Sequence, residues 1–118
     1  MQKGMHMDDL MEMLYRLNEE LSVSIKQLRQ NGNEFAKAEN EYQIIKAQNV
    51  LRMKDAGSSM TEINLSIKGQ REVAEAMLKR DIAKVMYESN QEHINTVKLR
   101  IRVLDSQINR EWNSNGTV

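Results

Sequence analysis

At the start of the chain, several methionines lie close to a histidine in the sequence, and these residue types could bind a metal ion. Five methionines surround His6, and thioether sulfurs are soft ligands that suit Cu(I). The alternative is that this stretch forms the first apolar turn of a packed helix, where methionine fills irregular contacts. We favour packing, and a copper titration that changes neither spectrum nor stability would exclude the metal site. The methionines are Met1, Met5, Met7, Met11 and Met13.

Groups that could transfer protons are scattered along the chain. Neither of the two histidines, His6 and His93, belongs to a two-histidine helical metal motif. Carboxylates lie close together near Asp8 and at Glu19-Glu20, but acid–base catalysis needs a cleft that shifts their pKa values. The glycines do not cluster into a phosphate-binding loop. We therefore expect a protein that is not an enzyme and has no catalytic residues, metal or other cofactor.

Basic residues in the middle of the chain could contact phosphates. Residues 46–84 carry eight basic and five acidic groups, a local charge of +3. Because phosphate neutralisation supplies most non-specific affinity for nucleic acid, a nucleic-acid-binding surface is the alternative function. The interleaved carboxylates make it the weaker interpretation, and binding that falls steeply with salt would support it. The residues are Lys54, Lys68, Arg71, Lys79, Arg80 and Lys84.

Composition restricts both the fold and the class of partner. The 118 residues include no proline and five glycines, so nothing prevents very long helices, and they allow one domain at most. Seventeen basic and seventeen acidic residues cancel, so no strong field draws the chain to nucleic acid or anionic lipid. No apolar run approaches the ~18 residues of a membrane span. With no cysteine and no secretion signal at the start, we expect a cytoplasmic protein.

An apolar repeat at alternating intervals of three and four residues begins at Leu14. Eight of its first ten positions are apolar, which is typical of a coiled-coil seam and predicts a first long helix over residues 8–56. Gly32 lies within the repeat, and because the register is the same on both sides we predict one helix, with a bend or break at 31–33 as the alternatives. The predicted packing residues are Leu14, Leu17, Leu21, Leu28, Phe35, Tyr42 and Ile45.

Residues 57–69 combine a helix stop with a helix start. Gly57 can adopt the left-handed conformation that ends helices. The segment Ser59-Met60-Thr61-Glu62 matches a capping box and predicts a short helix through about Ile67. This pattern is faintly similar to a helix-turn-helix, but the compact third helix of such modules is missing. We expect a hairpin corner with a solvated, charged face.

A second apolar repeat predicts a long helix over residues 70–112. Between Val73 and Met86 the apolar residues spread over a band too wide for one neighbouring helix to cover. Residues 1–7 are predicted to be a flexible start and residues 113–118 a polar tail. We expect a second small basic group, 98–102, to be solvated. The predicted packing residues are Val73, Met77, Ile94, Val97, Ile101, Leu104 and Ile108.

Four polar residues occupy positions in the two apolar seams: Asn31, Asn49, Arg80 and Asn90. A polar group in a seam costs stability, but it also penalises wrong registers and wrong oligomeric states. Our hypothesis is that these residues fix the register. The alternative is that the helices separate at these positions.

Two helices of similar length with a short connection favour an all-α fold, a long antiparallel hairpin. Because the wide apolar band needs further helices to cover it, we predict a homodimer that forms a four-helix bundle over at least part of its length. The expected function is that of an adaptor, inhibitor or accessory factor. Such a protein would act by oligomerising and by binding an unidentified protein through an exposed apolar stripe.

Several short motifs in residues 41–112 support a resemblance to known proteins. They are Glu41-Tyr42, Leu51 with Lys54 and Gly57, Lys68-Gly69, Glu72-Val73-Ala74, Arg80-Asp81-Ile82-Ala83, Lys98-Leu99 with Ile101, and Arg110-Glu111-Trp112. On these motifs the stretch resembles small uncharacterised helical proteins of phages and prophages of Gram-positive bacteria. The corner departs from that group, in which a proline often follows the glycine, whereas here Ser58-Ser59 stands there.

The resemblance implies a small early phage protein near recombination or replication functions, acting in the cytoplasm of a bacterial host. It supplies no catalytic residues. A structural protein of the phage particle is a third interpretation, which assembly beyond a dimer or tetramer would support.

Overall fold

The computed structural model describes residues 6–116, and their fold is all-α. Helix α1 spans Met7–Asp55, α2 spans Met60–Ser66 and α3 spans Arg71–Gly116, while a 3₁₀ turn, Ile67–Gly69, joins α2 to α3. Within residues 6–116 there is no β-strand. The two long helices form an antiparallel helical hairpin, which confirms the predicted fold class.

The helix bounds follow the predicted ones closely except at the end of α3. Helix α1 differs from the predicted 8–56 by a single residue at each end. Helix α3 continues through residues 113–116, where a polar tail was predicted. That prediction was wrong because asparagine and serine only modestly disfavour a helix and no proline stops it. Residues 1–5 of the predicted flexible start, and residues 117–118, lie outside the described part of the chain.

The chain divides into two compact units, each containing a stretch of α1 and a stretch of α3. We call the described residues of Met1–Leu28 and Ser89–Val118 the terminal unit. We call Arg29–Glu88, which includes α2, the corner unit.

Helix α1 is continuous through Gly32, as predicted. A Cβ atom on Gly32 would lie 3.2 Å from Cε1 of Tyr87 on α3, closer than side-chain carbons normally approach. The Tyr87 ring also contacts Phe35, with 6.0 Å between the ring centres. Glycine costs a helix interior ~1 kcal/mol relative to alanine, but at this position it makes room for the tyrosine ring in the corner unit.

The corner contains both the helix stop at Gly57 and the helix cap at Ser59 that the sequence predicts. Gly57 has a φ of 91°, and the backbone N–H groups of Gly57 and Ser58 donate to the carbonyls of Lys54 and Met53, each at 3.0 Å. This pair of hydrogen bonds is the Schellman motif. At the start of α2, the backbone N–H of Glu62 donates to Oγ of Ser59 at 3.2 Å, which is one of the two hydrogen bonds of the predicted capping box.

The core of the corner unit lies beneath α2. Ile63 and Ile67 are 1% and 5% exposed and join a buried cluster from both long helices. Fully burying such a side chain stabilises a fold by ~1.5–3 kcal/mol. Helix α2 therefore closes the hairpin end. The other members of the cluster are Tyr42, Val73 and Ala76.

The terminal unit has a smaller buried core along the α1–α3 seam. Leu10 and Val97 have no measurable exposure. Leu10 lies four residues before Leu14, so the apolar repeat of α1 extends one position further back than predicted. The other buried residues of this unit are Ser24, Asn90, Ile94 and Leu104.

Candidate helix-packing surfaces

The residues predicted to pack lie where α1 and α3 face each other within the two units. Each residue of the predicted packing set is buried or half-buried in the single chain. The contacts between the two long helices account for that burial. A role for these residues in an oligomer interface stays a prediction.

The polar residues of the seams are bonded within the hairpin. Asn90 in the terminal unit is 8% exposed, and its Nδ2 donates to the backbone carbonyl of Ser24 at 3.1 Å. Asn49 in the corner unit is 2% exposed; its Nδ2 donates to the carbonyl of Ile45 at 2.8 Å, and its Oδ1 accepts from Arg52. The helices therefore do not separate at Asn49 or Asn90. Whether the two residues fix the register stays a prediction.

Arg80 occupies a seam position and is held from three sides in the corner unit. Its guanidinium carbon lies 4.3 Å from the centre of the Tyr42 ring. Its Nη2 lies 2.9 Å from Asp81 and its Nε 3.6 Å from Glu39. The hydrogen bond to Asp81 raises the pKa of Arg80 above its usual value, against the opposing effect of desolvation. The cation is thus tied to the hairpin.

The basic residues predicted to contact nucleic acid are mostly paired with carboxylates. Lys54 and Lys68 are exposed and form no ion pair among the described residues, whereas the other four each have an acidic partner. Exposed ion pairs contribute ~0–1 kcal/mol, so the pairing reduces the positive charge offered to phosphates without excluding them. The nucleic-acid surface stays a prediction. The pairs are Arg71–Glu75 at 3.3 Å, Lys79–Glu41 at 3.2 Å, Arg80–Asp81 at 2.9 Å and Lys84–Glu88 at 3.9 Å.

Helix α3 carries an exposed apolar stripe away from its seam in the corner unit. Leu78, Ile82 and Val85 are 61%, 57% and 60% exposed. Each follows a seam residue by two positions, which places it ~200° around the helix from that residue. Together with Met86, which is 56% exposed, they form what we call the outer stripe. The prediction that one neighbouring helix cannot cover this band is confirmed.

The terminal unit contains an open apolar groove between α1 and α3, with a volume of about 600 Å³. Met13, Leu99 and Val103 are 40%, 56% and 59% exposed, so much of the apolar lining faces solvent. We call this the terminal groove. Its lining residues are Met13, Arg16, Leu17, Leu99, Arg100, Val103, Leu104 and Gln107.

The list of predicted packing residues omitted the groove and several buried residues, among them Leu10, Ile63 and Ile67. Leu10 lies in the apolar first turn that was favoured over a copper site, and Ile63 and Ile67 could have been found by their spacing of four on a short helix. The groove was harder to find because Leu99 and Val103 lie outside the seam register. Arg100, expected to be solvated among the basic residues 98–102, is exposed but lines this groove.

Among the residues considered for chemistry, no group of three or more histidine and acidic side chains within residues 6–116 is placed to hold a metal ion. Met11 and Met13 are exposed and lie ~200° apart around α1, while Met1 and Met5 fall outside the described part. His93 Nε2 lies 3.0 Å from Glu20 Oε1 in an exposed pair. None of the helices described is long and apolar enough to cross a membrane.

Comparisons with known proteins suggest no function, so a functional proposal rests on the outer stripe and the terminal groove. The resemblance to small phage proteins stays a prediction. No protein-family model, no curated protein and no solved structure matches the chain.

Proposed function

We propose that the protein is a non-enzymatic helical module of the cytoplasm that acts by packing against further helices. The observation that carries this proposal is the outer stripe of α3. Its four apolar side chains are each more than half exposed and lie within ~12 Å along one helix. The partner is a second copy of the chain or a helix of a larger protein, for which this module is an adaptor, inhibitor or accessory factor.

The energetics favour a partner for this surface. Removing an exposed leucine, isoleucine or valine from water contributes up to ~1.5–3 kcal/mol. Covering the remaining exposed area of the outer stripe contributes on the order of 5 kcal/mol before the entropic cost of association. Contiguous apolar patches on single chains commonly mark interaction sites.

The spacing of the stripe favours a helix as the partner. Leu78, Ile82 and Val85 follow at intervals of four and three, the repeat that seats side chains of one helix between those of another. Lys79 and Asp81 border the stripe and are both exposed. Charges of both signs beside an apolar repeat are typical of the flanks of helix–helix contacts, whereas a phosphate-binding surface would be mostly basic.

A photoreactive residue in place of Ile82 tests the proposal. Because Ile82 is exposed, the substitution leaves the hairpin intact, and we expect crosslinks in the purified protein or in the cell that makes it. The crosslinked peptide should come from a helix of a second copy or of another protein. The matched control places the same residue at Asn40, an exposed position of α1 in the same unit that does not line the terminal groove. Crosslinking at position 82 that is no stronger than at 40 would contradict the proposal.

A second variant separates binding from folding. Leu78→Gln combined with Val85→Gln makes the stripe polar without touching the seam. We expect it to abolish the crosslink at position 82 and to leave the thermal unfolding midpoint within about 4 °C of the parent, because each surface change usually alters stability by less than ~0.5 kcal/mol.

A further inference from the structure

We propose that the terminal groove is the site where a second copy of this chain docks, giving a two-fold symmetric dimer. The inference rests on the proposed function, because it takes helix packing as the mode of action. It assigns self-association to a surface other than the outer stripe, which is then left for another protein.

The first argument is the form of the groove. Its lining on α3 runs from Leu99 to Gln107, about 12 Å or two helical turns, and Met13 and Leu17 line it from α1. Sites for small molecules bury most of their ligand, whereas here Leu99 and Val103 are more than half exposed. An open trough of this length is better covered by the side chains of a helix than by a small ligand.

The second argument is the charge on this side of the terminal unit. Arg16 and Arg100 line the groove, and Asp9 and Glu12 line an adjoining depression together with Met13 and Arg16. Arg16 is paired with Glu12 at 2.7 Å. Asp9 and Arg100 form no ion pair or hydrogen bond within the described residues. One negative and one positive group are thus left unmatched on the same surface.

Two-fold symmetry can pair Asp9 of each copy with Arg100 of the other. In a symmetric dimer the same patch contacts itself, so a residue that meets a second residue is met by that residue in return. A surface with one unmatched acid and one unmatched base can therefore satisfy both charges with its own copy. A strongly acidic partner would leave Asp9 opposed by like charge, and a strongly basic partner would do the same to Arg100. Among possible occupants, a second copy fits the groove best.

The mass in solution tests the proposal. Light scattering of the purified full chain should give 27.4 kDa, twice the 13.7 kDa of one chain. Leu99→Gln combined with Val103→Gln should give 13.7 kDa with the same circular dichroism, because both side chains are exposed in the single chain. The matched control is the outer-stripe variant, Leu78→Gln with Val85→Gln, which should remain a dimer.

A charge reversal tests the electrostatic part with a second readout. Arg100→Glu places an acid where the proposed contact needs a base and should weaken the dimer roughly tenfold, equivalent to ~1.4 kcal/mol. Arg100→Lys should retain most of the affinity. Arg102→Glu makes the same change in charge at an exposed residue that does not line the groove, and it should leave the dimer dissociation constant unchanged within about twofold.

The outcomes separate this inference from the proposed function. The inference is overturned if the parent chain is monomeric at 100 µM, or if the dimer survives Leu99→Gln with Val103→Gln. Neither result contradicts the proposed function of the outer stripe. A dimer that is disrupted only by the outer-stripe variant overturns the inference but supports the proposed function. Equal weakening by Arg100→Glu and Arg102→Glu would show that general charge, not the groove, controls association, and would overturn it as well.

Discussion

The guanidinium of Arg80 lies 4.3 Å from the ring centre of Tyr42, so a cation fills a seam position that helix pairs usually give to an apolar side chain. The negative face of the ring attracts the cation, while Glu39 and Asp81 bind the guanidinium nitrogens. The half-buried arginine therefore joins α3 to α1 in the corner unit instead of loosening their contact.

Arg80→Lys should lower the thermal unfolding midpoint. A lysine ammonium is not planar, so it cannot stack on Tyr42 and bond both carboxylates as the guanidinium does. Circular dichroism at 222 nm measures the midpoint. In a Tyr42→Leu background the same change should cost much less, because the ring is gone. Equal losses in the two backgrounds would mean that the cation–ring contact does not stabilise the hairpin.

Gly32→Ala should stabilise the protein more in a Tyr87→Leu background than in the natural chain. Alanine improves the helix interior by ~1 kcal/mol, but its Cβ would lie 3.2 Å from the Tyr87 ring. The ring must then shift against Phe35. Urea unfolding of the four proteins in the cycle gives the coupling, which we expect to be ~0.5–1 kcal/mol. A coupling of zero would show that the ring moves freely.

The sequence predicted the fold because its signals are local. The three-and-four repeat, Gly57 and Ser59 each act within one or two helical turns, and each has its predicted structure. The polar seam positions could be located but their contacts could not. The bond from Asn90 to Ser24 joins residues 66 apart in the chain, so it depends on how the two helices align.

The candidate surfaces were only partly predictable for the same reason. The outer stripe could be predicted because it is a band of apolar residues on a single helix, and their spacing is visible in the sequence. The terminal groove needs Met13 of α1 and Leu99 of α3 side by side, and neither helix alone contains that information. The end of α3 was missed because polar residues without proline were taken as a helix end.

Asn90→Leu should raise stability and broaden the distribution of oligomeric states. The change removes a hydrogen bond to Ser24 worth ~1 kcal/mol and buries a leucine worth ~1.5–3 kcal/mol, for a net gain of ~1 kcal/mol. The broadening follows because the amide penalises other registers. Thermal unfolding and light scattering measure the two effects. A destabilised but uniform protein would show that Asn90 does not fix the register.

Glu72 should give the protein a pH-dependent stability that Glu72→Gln removes. A hydrogen bond from Asn49, then the hydrogen bond and charge of Arg52, hold the pKa of Glu72 below its ordinary value of 4.5. Because the folded state binds this proton less readily than the unfolded chain, the stabilisation is complete above pH 4.5 and is lost as the pH falls through the lower folded value.

Urea unfolding at several pH values between 6 and 3 measures this effect. The parent should lose more stability over that range than Glu72→Gln does. Glu92→Gln, which removes an exposed carboxylate from the other unit, serves as the control. If the two variants have the same pH dependence as each other, the contact of Glu72 with Asn49 and Arg52 contributes nothing to stability in solution.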